Sequence, residues 1–369
     1  MNPFPIAGYI GKEYFCDREK ETKLIIDGIK NGRNQVVYGW RRLGKSALLF
    51  HVLSEMEKQK HLGIYVDLYG TKSLAQATEN IADAIINATQ GQKGISQKLA
   101  QLVGRLGASL SFDPFTAMPK LSFGINQHQE KGEQNLLALY KYLSSEYKKV
   151  IVVLDEFQQI TQYENSINPE AVFRSLMQQF PNIRFIYSGS QRNLMLSMFN
   201  DSNRPFYRSC ELLLIEEIAI KAYSPFILEK MNKRGQKITS EQIETIYQWT
   251  NGQTLYIQMV CNKLFARNKK VDNEALLSTF KELIEQQSHY FQHINELLTR
   301  KQSDLMRAIA IEGVAASPTA NDFLNKHQLG TSGTITRTLN SLVSKTLVIK
   351  TTTGYRLHDT LLSRWYEHL

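Results

Sequence analysis

Eight consecutive residues, Gly39-Trp40-Arg41-Arg42-Leu43-Gly44-Lys45-Ser46, carry the clearest chemistry in the sequence. Two glycines five positions apart let the backbone curl until successive N–H groups face one way. A helix that starts directly afterwards adds its positive end, and the two together cradle phosphate oxygens. A lysine after the second glycine reaches the β- and γ-phosphates of a nucleoside triphosphate, and the next hydroxyl holds Mg²⁺. Lys45 and Ser46 stand at those two places, and Gly39 through Ala47 form the expected nucleotide contact. Arg41 and Arg42 lie inside the loop, where side chains often point outward, and both read as structural or partner-facing.

A second constellation lies more than a hundred residues on. The apolar run Val150-Ile151-Val152-Val153-Leu154 ends in Asp155-Glu156. A carboxylate at a strand tip can hold Mg²⁺ through water, which is the role expected of Asp155. The adjacent Glu156 can orient or deprotonate an attacking water. Alone, such a pair is also what a solvated strand end looks like; beside a phosphate loop it gains meaning. A further apolar run ends in Ser188-Gly189-Ser190-Gln191. Ser190 there, or Gln191 as the alternative, could sense the γ-phosphate, while a plain turn with hydroxyl caps has the same composition. Arg204 and Arg208 flank Pro205-Phe206-Tyr207. An arginine near the phosphates stabilises transition-state charge, in cis or from a neighbouring molecule. Arg208 is the preferred candidate, and a surface ion pair is the other reading for both.

These residues need strands to carry them. Val36–Tyr38, Ile64–Leu68, Val150–Leu154, Ile183–Tyr187 and Leu212–Ile215 are short apolar runs separated by helical patterns. Runs of that kind indicate parallel strands covered on both faces, hence an α/β fold with a parallel sheet. If the strands before the loop and before Asp155 are neighbours, their carboxyl ends bring the two constellations together. Ser109–Phe112 and Lys120–Phe123 alternate polar and apolar residues around a turn-rich segment, Asp113–Pro119. They predict a hairpin, either a sheet extension or a docking element. This P-loop core spans 1–217. From 218 to 285 the pattern is helical, a second domain, with a helix end at Lys233-Arg234-Gly235 and a capping box from Thr239 and Gln242. From 286 to 369 three helices (Ser303–Glu312, Thr319–His327, Thr334–Lys345) precede a hairpin of Leu347–Lys350 and Tyr355–His358, the order of a winged helix-turn-helix.

The chain has 369 residues, 42% of them hydrophobic, which suits two or three packed domains. The balance of 44 Lys+Arg against 35 Asp+Glu gives +9, compatible with anionic partners. No apolar run is long enough for a transmembrane helix, the start lacks a signal-peptide pattern, and Cys16, Cys210 and Cys261 form no CxxC pair. A cytoplasmic location without membrane attachment is expected. Glu285, His289 and His293 share a helix face, but without a HExxH pattern they read as surface or core-edge residues. In the third helix of the winged segment, Thr334, Arg337, Thr338, Ser341 and Lys345 could meet DNA phosphates and base edges. With nine Lys/Arg against six Asp/Glu in 286–369 the helix is not densely basic, and protein docking or an intramolecular lid are the other uses of such a domain.

The sequence resembles the archaeal-type ATPase family, a branch of P-loop ATPases related to AAA+ and STAND proteins. The resemblance rests on Tyr14-Phe15-Cys16-Asp17-Arg18-Glu19-Lys20-Glu21, Tyr38 through Ser46, Leu154-Asp155-Glu156, Ser188-Gly189-Ser190 and Arg204-Pro205-Phe206-Tyr207-Arg208. Thr250-Asn251-Gly252, Asp359 and Trp365 add to it. It implies an ATPase core, a helical lid and a C-terminal winged helix, with ATP and Mg²⁺ as ligands and Phe15 and Arg18 near the adenine. The lid reads Gly252-Gln253-Thr254 where relatives often carry Gly-x-Pro. The expected function is a Mg²⁺-dependent ATPase acting as a switch for a DNA or protein partner. The alternative is a module that keeps a nucleotide for stability and does not turn it over. The oligomeric state is open.

Overall fold

The computed structural model describes residues 2–89, 104, 108–112, 119–123, 128–164, 168–233, 235–267 and 271–368. The chain divides into two compact units, Ala7–Glu216 and Glu217–Leu369, the latter joined by Met1–Ile6.

The first unit is built on five parallel strands: β1 (Gln35–Tyr38), β2 (Leu62–Asp67), β5 (Val150–Asp155), β6 (Ile183–Gly189) and β7 (Glu211–Leu214). Their order is β2-β5-β6-β1-β7. The sequence marks all five, but not their lateral order. β1 and β5 are not neighbours; β6 lies between them, pairing Val36 with Tyr187 on one side and Val152 with Phe185 on the other. Periodicity reports which residues are buried and not which strand lies alongside, so this correction could come only from the structure. Because every pairing is parallel, the carboxyl ends still share one edge.

The continuous apolar character of β5 has a direct cause. Val150, Val152 and Leu154 pack on one face of the sheet, Ile151 and Val153 on the other, and all are buried. The first face is covered by α3 (Leu74–Thr89), α4 (His128–Glu146), α5 (Pro169–Gln179) and α6 (Arg192–Asn200), which supply Ile81, Leu139, Phe173 and Met198. The second is covered by α1 (Glu19–Lys30) and α2 (Lys45–Glu57), through Ile25, Leu48, Val52 and Met56. The predicted hairpin exists as β3 (Ala108–Phe112) and β4 (Pro119–Phe123), an antiparallel pair that forms its own two-stranded sheet rather than extending the main one. Its turn, 113–118, lies outside the described residues.

The second unit begins with α7 (Ile220–Asn232), α8 (Ser240–Trp249), α9 (Thr254–Ala266) and the 24-residue α10 (Asn273–Glu296). The Thr239–Gln242 capping box forms as expected, and Thr299–Gln302 provides a second at the start of α11 (Arg300–Glu312). Arg234, part of the expected helix end, lies outside the described residues. The chain continues with α12 (Asn321–Lys326), α13 (Ser332–Ser344), the antiparallel pair β8 (Val348–Lys350) and β9 (Tyr355–Leu357), and α14 (Thr360–Glu367). This is a winged helix with one more helix than the sequence pattern indicated; α14 has only eight residues, started by the Asp359 side chain on the amides of Leu361 and Leu362.

The unit is tied together by polar contacts. Gln253 donates to the His358 carbonyl at 3.0 Å, Tyr256 to Asp359 at 2.5 Å, and Arg364 Nε to the Trp249 carbonyl at 3.0 Å. Arg356 pairs with Glu217 at 3.0 Å. Phe4, almost fully buried, packs edge-on to Phe226 and Phe265; the Asn2 side chain donates to the Asn262 carbonyl, and the Asn262 side chain donates to the Phe4 carbonyl. The segment Thr250-Asn251-Gly252 thus lies beside the hairpin end of the winged helix, with Asn251 3.4 Å from Thr360 Oγ1. His289 and His293 are exposed on α10, and no metal-binding cluster occurs among the described residues. No helix among them is long and apolar enough to cross a membrane.

Candidate phosphate and metal site

The loop 39–46 joins β1 to α2 along the carboxyl edge of the sheet. Gly39 is required by close approach: a Cβ there would lie 2.3 Å from the Ile215 carbonyl oxygen. Gly44 has φ 85°, left-handed backbone that costs glycine little, and Arg42 at φ 67° shares that conformation. Gly44 starts α2 without a side-chain cap, and no acidic residue occupies the first turn. The first amides of α2 are therefore left for an outside acceptor, and an anion suits both their N–H groups and the helix dipole.

Lys45 is buried, and its ammonium donates to the Trp40 carbonyl at 2.9 Å. Burial pushes its pKa down, while Glu156 and Asp155 pull it up without offsetting the effect. A buried ammonium beside uncapped amides fits a polyanion. Ser46 Oγ donates to Asp155 Oδ2 at 2.8 Å, closing a sequence gap of 109 residues. Hydroxyl and carboxylate oxygens together suit a hard cation such as Mg²⁺. Tyr65 of β2 donates a short hydrogen bond to the same Oδ2, and the Glu156 amide donates to Oδ1 at 3.0 Å. Burial and the Asp155 charge both raise the Tyr65 pKa, so it stays a neutral donor.

Glu156 follows in the left-handed region at φ 51°. Its Oε2 accepts from Ser190 Oγ at 2.6 Å and from Gln158 Nε2. Ser190 is buried at the tip of β6, between the strands that carry the other groups. Arg41 Nε donates to Ser190 Oγ at 3.3 Å, and its guanidinium carbon lies 5.7 Å from the Tyr69 ring centre. Lys45, Ser46, Asp155, Glu156 and Ser190 are thus brought to one edge.

The remaining candidates, Phe15, Arg18, Arg204 and Arg208, make no hydrogen bond to these five side chains among the described residues. Arg18 is buried; it donates to the Leu43 carbonyl at 3.0 Å and the Glu216 carbonyl at 2.6 Å, and pairs with Glu21 at 2.7 Å. It braces the loop backbone. Replacing it with Ala leaves these carbonyls without their charged donor, and an expected loss of about 2–3 kcal/mol should register in denaturant unfolding. Phe15 stacks on His51 at 4.7 Å, and Tyr9 closes the group with a 2.8 Å hydrogen bond to His51 Nδ1. Arg204 is held by Glu170 and Ser197. Arg208 is exposed, its guanidinium 5.2 Å from the Tyr207 ring centre. Sequence reasoning missed Tyr65 and Gln158. Gln158 had a signal, a polar residue two positions beyond Glu156; Tyr65 had none, since nothing in its strand marks its hydroxyl.

Residues 15–260 match the family model described as an ATPase domain predominantly from Archaea, and residues 289–368 match that of a probable winged helix domain. No curated protein matches the sequence. Among solved structures, a Walker-type ATPase of Pyrococcus abyssi is similar at 18% identity, with 99% of each chain covered and a TM-score of 0.67. The ORC1 protein of Aeropyrum pernix, solved in complex with DNA, is similar at 12% identity over 96% of this chain and 93% of that one, TM-score 0.54. The ORC2 protein of the same organism, solved with ADPNP and ADP, is similar at 14% identity over 100% and 97%, TM-score 0.53. At these identities the likeness shows the fold.

Proposed function

The chain belongs to the family of ATPase domains found predominantly in Archaea, and on that premise we propose that it binds ATP with Mg²⁺, hydrolyses it, and uses the nucleotide state to control a DNA or protein partner. The observation that carries the reading is the 2.8 Å hydrogen bond between Ser46 and Asp155, which unites the loop hydroxyl with the strand-tip carboxylate.

The residues divide the work by chemistry. The loop amides and Lys45 bind the β- and γ-phosphates. Ser46 and Asp155 hold Mg²⁺, with Tyr65 orienting the carboxylate. When bound, Mg²⁺ neutralises charge on the β- and γ-oxygens. Glu156 accepts the proton of the attacking water. The water oxygen bonds to the γ-phosphorus as the bond to the β–γ bridging oxygen breaks, and the electron pair leaves with ADP. Ser190, which donates to Glu156, is the candidate sensor of the γ-phosphate. Phe15 is the aromatic candidate for the adenine. The winged helix presents Thr336, Arg337 and Asn340 on the exposed side of α13 and Lys345 directly after its end, a surface that suits phosphate contacts. The likeness to a protein solved with DNA favours testing DNA first.

Phosphate release from purified protein, with Mg²⁺ or EDTA and with or without duplex DNA, tests the proposal. Mg²⁺-dependent release that DNA changes is the expected result. ATP binding without release under any condition would leave a nucleotide-stabilised module in its place, and no calorimetric heat on adding Mg·ATP would overturn nucleotide binding itself.

A further inference from the structure

Besides Arg42, three arginines lie within the segments that bear on phosphate chemistry, Arg41, Arg204 and Arg208, and the structure distinguishes these three. Arg204 is committed to Glu170 and Ser197. Arg208 lies over Tyr207 at the surface. Arg41 is in the loop itself, and its Nε donates to Ser190 Oγ, which in turn donates to Glu156 Oε2. Two hydrogen bonds therefore separate it from the carboxylate assigned to the attacking water. Arg41 is exposed, and among the described residues its terminal nitrogens make no hydrogen bond. Its charge is also felt at Lys45, which places it near the phosphate cradle.

We propose that Arg41 is the charge-stabilising arginine of this ATPase, acting in cis as a catalytic residue on the γ-phosphoryl group. The proposal rests on the hydrolytic reading given above. With Nε on Ser190 and the Tyr69 ring under the guanidinium, the two terminal nitrogens are oriented as a planar pair of donors, the geometry that meets phosphoryl oxygens two at a time. Charge spreads over the three equatorial oxygens of the γ-phosphoryl group as the water oxygen approaches and ADP leaves. Arg41 meets that charge from the loop side, Lys45 from below. Tyr69 limits the swing of a long side chain and lowers the entropy lost when it engages. A loop arginine placed in this way makes the site complete within one chain.

The test uses full-length Arg41→Ala and Arg41→Lys, with Arg208→Ala beside them. Phosphate release at saturating Mg·ATP and calorimetric affinities for ATP and ADP are measured for each, over a tenfold range of protein concentration. The expected result for Arg41→Ala is a turnover loss of about 10³-fold, the lower end for an arginine of this role. ADP affinity should stay within about twofold and ATP affinity should fall toward it, because only ATP carries the γ-phosphate. Arg41→Lys should recover part of the ATP preference and little of the turnover, since a lysine cannot make the bidentate contact. Wild-type turnover per molecule should not vary with protein concentration. Turnover retained in Arg41→Ala beside an active wild type overturns this proposal alone. So does a loss in Arg208→Ala with turnover per molecule that rises with concentration, because the arginine then comes from another copy. An inactive wild type overturns the hydrolytic reading and this proposal with it.

Discussion

Glu156→Gln is expected to bind Mg·ATP within about twofold of wild type and to lose turnover by about 10²–10⁴-fold, the range a positioned general base supplies. The substitution keeps the side-chain shape. An amide oxygen can still accept from Ser190 Oγ, which now lies 2.6 Å from the carboxylate, so the β5 and β6 tips remain joined. The amide cannot take a proton from water. Asp155, with its own donors in Ser46, Tyr65 and the Glu156 amide, is left in place, and with it the metal position. Calorimetry for ATP and single-turnover phosphate release separate the two effects. Turnover that persists in Glu156→Gln would remove Glu156 from the reaction and leave Asp155 or a bound water as the proton acceptor.

Lys45→Met is expected to weaken ATP binding by about 10–100-fold, the loss of a charge-assisted hydrogen bond in a buried setting, and to make the protein without nucleotide more stable. The second effect follows from burial. Lys45 is a cation held away from water whose folded-state pKa lies below its unfolded value of about 10.5. The folded state therefore binds that proton less tightly than the unfolded state. Below the folded pKa the full penalty applies, and it is relieved as pH rises through that value toward 10.5. Lys45→Met removes both the penalty and that rise. A gain of about 2–4 °C in the unfolding midpoint, what ~1 kcal/mol gives a domain of 150–250 residues, is expected near neutral pH, with the difference from wild type shrinking in alkali. Thermal scans across pH check it. A midpoint that drops at pH 7 would mean that the Trp40 carbonyl needs the lysine more than the lysine needs water. Such a cost borne by the free protein is what a site kept ready for a polyanion carries.

The phosphate loop and the carboxylate pair were legible because their chemistry is local: glycines at fixed spacing, a lysine and a hydroxyl at a helix start, and an apolar strand that stops at Asp155. The alternation of short apolar runs and helices likewise announced the parallel sheet, and the capping box at Thr239 marked a helix start to the residue. Three things were not legible. The place of β6 between β1 and β5 is a matter of lateral order, and burial patterns are blind to it. The Tyr65 hydroxyl reaches Asp155 only because β2 runs beside β5 in the register that sets Tyr65 against Val153. The Arg18 guanidinium is engaged by the loop and by the Glu216 carbonyl, a contact 198 residues away that no local pattern encodes.

The 24-residue α10, about 36 Å of unbroken helix, bears on how this protein can be dissected. Its first half buries Leu276, Phe280 and Leu283, and its second half carries Phe291 against Trp365 of the winged helix. A recombinant fragment that starts inside α10 would strip one half from the other. It would also delete the acceptor of Arg364, the donor to the His358 carbonyl and the carboxylate facing Arg356. Weak nucleic-acid binding by such a truncate would then report a damaged scaffold instead of a surface without affinity. A cut before Glu217, with residues 2–6 supplied as a peptide to refill the Phe4 position, keeps every one of those bonds.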